Sequence, residues 1–146
     1  MLNLTLNILY LIPIVGIILI IILPKTFTKF ISLTTSVLAL IYSMLLSTYY
    51  NPIVQFQFLE NYSVFGKTFV VGLDGISLNF ILLTAFIMPI CVLTSYKSIT
   101  TFIKEFYLSL LSIEILLFGV FTVMDLLGFY ILYEGVLIPM FLIIGV

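Results

Sequence analysis

Long apolar runs separated by short polar connections dominate the chain. A transmembrane helix needs about 20 mostly apolar residues in succession, and five runs approach that length. The runs are continuous rather than alternating, which favours helices over a transmembrane barrel. The predicted spans cover residues 4–23, 30–49, 76–95, 106–124 and 126–146. We therefore expect an all-α membrane protein with about five transmembrane helices, forming a single membrane domain over residues 1–146.

The one long connection, residues 50–74, is expected to lie on the outer side of the membrane. Polar and aromatic residues alternate in Gln55-Phe-Gln57-Phe, and a β-prone run, Phe69-Val-Val71, follows. Each stretch is typical of a short strand. The connection is therefore predicted to contain a hairpin.

Two aspartates stand directly before predicted spans. Asp74 precedes the third span, and Asp125 marks a tight turn before the fifth. A carboxylate in this position accepts hydrogen bonds from the free N–H groups of a helix N-terminus. We predict that both aspartates are caps.

Composition excludes a soluble protein. Hydrophobic residues make up 64% of the chain and charged residues 8%, against about 45–50% and about 25% in soluble domains. The net charge of −1 gives no sign of a nucleic-acid partner. With no His and one Cys, Cys91, the chain alone offers no ligand set for zinc, haem or an iron–sulfur cluster. Cys91 itself is expected to be a buried apolar residue.

Lysine placement predicts the orientation of the spans. Lys25 and Lys29 share one side with Lys97 and Lys104, while Lys67 stands on the other. Basic residues concentrate in loops on the inner side of a membrane. The sequence therefore predicts that the four-lysine side faces the cytoplasm or matrix and that the N-terminus faces outward.

Two acids lie deep in apolar runs. Glu134 is nine residues past Asp125, or about 13.5 Å along a helix, and Glu114 is ten residues past Lys104, or about 15 Å. A carboxylate near the bilayer centre costs roughly 2.5–3.5 kcal/mol or more, so such residues are usually functional. Glu134 is the principal candidate, for proton movement. Glu114 is either a second site or a carboxyl that hydrogen-bonds a neighbouring helix, and the sequence does not show whether the two acids face each other.

Glu134 needs partners that this chain does not provide. No Lys lies at membrane depth, so an isolated carboxyl there is expected to be neutral. A change of charge would require a cation or a water chain from elsewhere. Pro139 lacks an N–H group and leaves the carbonyl of Gly135 without its helical donor, one turn from Glu134.

Several segments resemble chain 4 of mitochondrial NADH–ubiquinone oxidoreductase, an antiporter-like subunit family of respiratory complex I. The resemblance runs from about Val71 to Val146. It rests on Val71-Gly-Leu-Asp74-Gly-Ile-Ser-Leu78, on Ile87-Met-Pro-Ile-Cys-Val-Leu, and on Gly119-Val-Phe-Thr-Val-Met-Asp125-Leu-Leu-Gly-Phe-Tyr-Ile-Leu-Tyr-Glu134-Gly-Val-Leu-Ile-Pro139-Met. The last string is the most specific, because it places an acid and a proline together in an apolar helix.

The resemblance implies a proton-translocating membrane subunit of the fourteen-helix antiporter-like fold. Glu134 matches the family's fifth-helix glutamate, which pairs with a lysine on a broken seventh helix. Glu114 matches no dependable family motif. The family holds no redox centre, so NADH, flavin, iron–sulfur clusters and ubiquinone would belong to other subunits. The implied partners are other membrane subunits of complex I and the lipid bilayer, in the mitochondrial inner membrane with the N-terminus in the intermembrane space.

The resemblance also leads us to expect that the 146 residues are the N-terminal part of a longer protein. The pairing lysine and the second half of the fold would lie beyond Val146. The family usually continues Gly-Val with Trp-Gly, and this chain holds no Trp. We hypothesise a UGA codon, which many mitochondria read as Trp, translated as a stop. A split gene or a partial sequence is the rival explanation.

Two other functions stay open at this point. One is a subunit of a multi-subunit sodium/proton antiporter, which shares this ancestry. The other is a split structural half that completes the fold of a partner.

Overall fold

The structure, a computed structural model, describes residues 6–51, 53 and 57–145. These residues form five helices and one two-stranded hairpin. In chain order the elements are α1 (Leu6–Ile22), α2 (Lys25–Tyr49), β1 (Gln57–Val64), β2 (Lys67–Leu73), α3 (Gly75–Ser98), α4 (Ile103–Thr122) and α5 (Leu126–Gly145). Within the described residues, α2 to α5 are long and apolar enough to cross a membrane, and α1 is a shorter apolar helix. The predicted all-α membrane class is confirmed.

Three helices extend past the apolar runs that predicted them. The helix α2 begins at Lys25, α3 ends at Ser98 and α4 begins at Ile103. The polar turns at these ends continue the helices because backbone hydrogen bonding does not depend on apolar side chains. The helix bounds are therefore wider than the apolar core of each span.

Lysine side chains bind the ends of neighbouring helices at one end of the bundle. The ammonium group of Lys29 donates to the carbonyl of Tyr96 and lies 5.2 Å from the centre of its ring. Lys104 Nζ donates to the carbonyl of Ile21 over 3.4 Å. Cations are favoured at helix C-termini, where carbonyls lack helical donors. We call this the lysine end, and the opposite end, which carries β1 and β2, the hairpin end.

The predicted hairpin is present. Strands β1 and β2 pair antiparallel through a turn in which Phe65 (φ 49°) and Gly66 (φ 78°) both have positive φ. Two positive φ values match the twist of a two-residue hairpin loop. Gln55 and Phe56, which were predicted to begin the first strand, lie outside the described residues.

The hairpin holds the turn between α4 and α5. Met124 N donates to the carbonyl of Val70 over 2.9 Å, and Val71 forms an isolated antiparallel bridge with Val123. These contacts fix the point at which α5 starts.

Both predicted caps are confirmed. Asp74 Oδ1 accepts from Ser77 N over 2.7 Å at the start of α3. Asp125 Oδ1 accepts from Leu127 N over 3.1 Å at the start of α5. The hydrogen bond from the Ser77 backbone N–H is the main reason that the pKa of Asp74 lies below the ordinary value of an aspartate.

The helix α4 is the centre of the bundle and packs against the other four helices. Buried apolar side chains form two clusters, one toward each end. The lysine-end cluster consists of Ile20, Ile31, Val92, Tyr107, Leu110 and Leu111. The hairpin-end cluster includes Leu9, Ala39, Leu46, Ile81, Ala85 and Phe118. The helix α5 packs mainly on α4 and lies at the edge of the bundle.

Candidate functional site

Glu134 lies on α5, eight residues after Leu126. The helix rise places it about 12 Å from the hairpin end. Its side chain is exposed in this chain. A carboxyl at that depth, open to the surroundings of the bundle, is expensive in lipid.

The contacts between α4 and α5 show which way Glu134 faces. A Cβ added at Gly119 would lie 3.0 Å from Leu132 Cδ1, and one added at Gly135 would lie 3.5 Å from Leu116 Cδ2. Leu132 and Gly135 therefore mark the side of α5 that meets α4. Glu134 is about 160° from Leu132 and about 100° from Gly135 around the helix axis. Its side chain faces away from α4.

The uncovered face of α5 is otherwise apolar. Leu137, Ile138 and Phe141 follow Glu134 on this face, and all three are exposed. Tyr130 lies one turn before Glu134 on the same face of α5, where its hydroxyl can reach the carboxyl. The polar pair of Tyr130 and Glu134 thus interrupts an apolar surface on the open side of α5.

Pro139 is buried and lies inside α5, which stays helical from Leu126 to Gly145. Since proline has no N–H group, the carbonyl of Gly135 receives no helical donor. The free carbonyl belongs to the residue directly after Glu134.

Glu114 occupies the opposite kind of environment. It lies on α4, has 0% exposure, and neither of its carboxylate oxygens has a hydrogen-bond partner among the described residues. Around the axis of α4, Glu114 is about 140° from Gly119 and about 160° from Leu116, and these two residues face α5. Glu114 therefore faces the interior formed with α1, α2 and α3.

The two acids lie at the same level but do not form a pair. Each is eight residues from the turn that joins α4 and α5, or about 12 Å. They stand on opposite sides of the contact between these helices. The orientation that the sequence left open is thus divergent, and one carboxyl does not act directly on the other.

Sequence reasoning missed three polar side chains. Tyr130 is a neighbour of Glu134, and its four-residue spacing on one helix was the available signal. Thr28 and Tyr107 are buried, and their hydroxyl oxygens have no partner among the described residues. No feature of the sequence indicates that these hydroxyls are unpaired.

No group of three or more His, Cys, Asp or Glu side chains that could hold a metal ion occurs in the described part of the chain. Cys91 was expected to be buried, but it is only half-buried, because its helix α3 lies at the edge of the bundle and keeps several large apolar side chains exposed.

Comparison with known proteins identifies relatives along most of the chain. NADH-ubiquinone oxidoreductase chain 4 of Marchantia polymorpha is 38% identical over 147 residues, which cover 94% of this chain and 29% of the relative. The protein of the same name from Metridium senile is 60% identical over 76 residues, which cover 52% of this chain and 16% of the relative. NADH-quinone oxidoreductase subunit M of Rhodobacter capsulatus is 38% identical over 120 residues, covering 81% and 23%. No protein-family model matches the chain.

The chain thus spans less than a third of the length of these relatives. The names of these relatives are those of oxidoreductase subunits and not of sodium/proton antiporters. On this similarity, the chain belongs to the family of chain 4 of NADH–ubiquinone oxidoreductase.

Proposed function

We propose that this chain is part of a membrane subunit of NADH:ubiquinone oxidoreductase that takes part in proton translocation, and that Glu134 is its proton-relay residue. The observation that carries the proposal is the position of Glu134. It is a carboxyl at membrane depth, on the uncovered face of α5, in a chain of this family.

The electrostatics of the site favour a missing partner rather than a lipid contact. Burying an ionised carboxyl in hydrocarbon is costly unless a cation or hydrogen-bond donors accompany it. Tyr130 supplies one hydrogen-bonding group, and the lysines of this chain all lie at element ends or in the hairpin. A cation on a further helix, seated against α5, would complete the site.

In this arrangement Glu134 relays a proton by changing its charge. A nearby cation stabilises the carboxylate, and withdrawal of the cation favours the neutral acid. The carboxyl then binds a proton from water and releases it when the cation returns.

The proposal extends to location and partners. The protein is a multi-pass subunit of the mitochondrial inner membrane, in contact with lipid and with other membrane subunits of complex I. The lysine end faces the matrix, since lysines concentrate on the inner side, and the hairpin end and N-terminus face the intermembrane space. NADH, flavin, iron–sulfur clusters and ubiquinone are bound by other subunits.

Charge-neutralising substitution in the assembled complex tests the proposal. Glu134→Gln is expected to leave assembly intact, because the side chain makes no contact with α4, and to abolish proton pumping coupled to NADH oxidation. Glu105→Gln is the matched control, since it removes an exposed acid from the first turn of α4. Normal pumping by Glu134→Gln would show the assignment to be wrong.

A further inference from the structure

Four buried side-chain oxygens lack a hydrogen-bond partner within the residues that the structure describes. They are Thr28 Oγ1, Tyr107 Oη and the two carboxylate oxygens of Glu114. All three residues have 0% exposure. Buried polar groups in proteins are nearly always satisfied, by protein or by ordered water.

These side chains lie along one seam of the bundle. Tyr107 and Glu114 are seven residues apart on α4, so they share a face and are separated by about 10.5 Å along the axis. Thr28 is buried on α2, one turn before Ile31, which packs in the same cluster as Tyr107. Because α2 and α4 both begin at the lysine end, Thr28 and Tyr107 lie near that end and Glu114 lies deeper.

The seam closes beyond Glu114. Phe118, one turn further on the same face of α4, has 0% exposure and packs in the apolar hairpin-end cluster. Nearer the hairpin end, the hydroxyls of Tyr10 and Thr122 hydrogen-bond each other. The unpaired oxygens therefore lead from the lysine end to Glu114.

The facing stretch of α2 adds groups that can hold water. Ser32 and Ser36 are buried there. Their hydroxyls donate to carbonyls of their own helix, those of Thr28 and Leu33. Each hydroxyl oxygen keeps lone pairs that can accept a hydrogen bond. A buried water typically needs about three such partners, and the seam supplies them.

We propose that ordered water occupies this seam between α2 and α4 and makes Glu114 a proton-exchange site open to the lysine end. The neutral carboxyl donates its O–H to water. On release, the proton passes to that water as hydronium, while the electron pair stays on the carboxylate; uptake reverses the step. Tyr107 is the other ionisable side chain on this face of α4, and Lys29 and Lys104 lie at the mouth of the seam. The inference does not depend on the role of Glu134.

Thiol accessibility in the assembled complex tests for the water. In a Cys91→Ser background, cysteine is placed at Tyr107, Glu114 or Phe118, and membranes open on both sides are treated with a small methanethiosulfonate reagent. Such reagents attack the thiolate, which forms in water. Cysteines at 107 and 114 are expected to react at least tenfold faster than one at 118. Phe118→Cys is a stringent control, because it leaves a larger cavity than Glu114→Cys does and the cavity lies in a dry cluster. Equal rates, or no reaction at 114, would overturn the proposal.

Infrared spectroscopy tests the proton on the native carboxyl and covers the case in which a cysteine variant does not assemble. The carboxylic C=O band that is lost in Glu114→Gln should shift when H₂O is replaced by D₂O. Tyr107→Phe should slow the rate at which the band shifts in D₂O severalfold. Tyr42 is a buried tyrosine of the hairpin-end cluster, and Tyr42→Phe should leave this rate unchanged. A band that stays unshifted, or equal rates in the two tyrosine variants, would refute a water path through Tyr107.

Discussion

Replacing Gly128 with alanine should wedge a methyl group between α5 and the structure that holds its first turn. An added Cβ would lie 2.8 Å from Val123 Cγ2 and 3.0 Å from Phe69 Cδ1. Val123 is constrained by its bridge to the hairpin, and Phe69 belongs to β2. The methyl group therefore meets two anchored neighbours.

The expected loss of stability follows from these distances and from comparison with a control substitution in the same helix. Reaching an ordinary contact of 3.4 Å requires Val123 to move by about 0.6 Å, and overpacking of this kind costs about 1–3 kcal/mol. A Cβ at Gly135 would meet Leu116 at an ordinary 3.5 Å. Both substitutions gain up to about 1 kcal/mol of helix propensity. We expect Gly128→Ala to be less stable than Gly135→Ala by about 1–3 kcal/mol.

Thermal unfolding in detergent measures this difference. A thiol-reactive fluorophore reports exposure of Cys91, the one cysteine of the chain. Gly135→Ala should unfold at or slightly above the temperature of the unmodified chain, and Gly128→Ala below it. If Gly128→Ala unfolds at the same temperature as Gly135→Ala or higher, the close packing of α5 against the hairpin is wrong.

Three further outcomes are expected. Gly16→Ala should destabilise the chain by about 1–3 kcal/mol, because the added Cβ would lie 2.6 Å from Thr35 Cγ2. Adding Thr35→Ser, which removes this methyl group, should recover part of the lost stability. If the stability changes of the two single variants simply add in the double variant, the contact is wrong. Tyr130→Phe should lower coupled proton pumping to a level between those of the unmodified protein and Glu134→Gln, and it should change the pH profile of pumping. Tyr133→Phe should do neither. If the two tyrosine variants have equal effects on pumping, Tyr130 is not part of the site. Asp74→Ala should cost about 0.5–2 kcal/mol as a lost cap. Since the folded pKa of Asp74 is lowered, the stability that its carboxylate contributes is present at neutral pH and is lost as the pH falls through and below about 4. Asp74→Asn should therefore lose less stability on acidification than the unmodified chain. An acid dependence that is the same in both would contradict the cap.

Features that depend on local residue order could be predicted from the sequence. Apolar length indicates the helices, since a span must bury its backbone polar groups within itself. Asp74 and Asp125 could be recognised as caps because a cap needs one side chain and the next helical turn. The hairpin follows from β-prone runs on either side of a turn.

The directions in which the two acids point could not be predicted, because they depend on how each helix is rotated about its own axis. The helix α5 is apolar on nearly all sides, so periodicity does not mark its packed face. Contacts such as Gly119 with Leu132 set the rotation, and they join residues of different helices. The same reason explains why the isolation of Glu114 on α4 and the unpaired hydroxyl of Tyr107 appear only in the structure.

The central claim is that Glu134 changes its protonation during turnover, and infrared difference spectroscopy of the assembled complex tests it most directly. Addition of NADH should produce a change in a carboxylic C=O band that is absent in Glu134→Gln and retained in the control Glu105→Gln. The same band change in Glu134→Gln as in the unmodified protein would contradict the account.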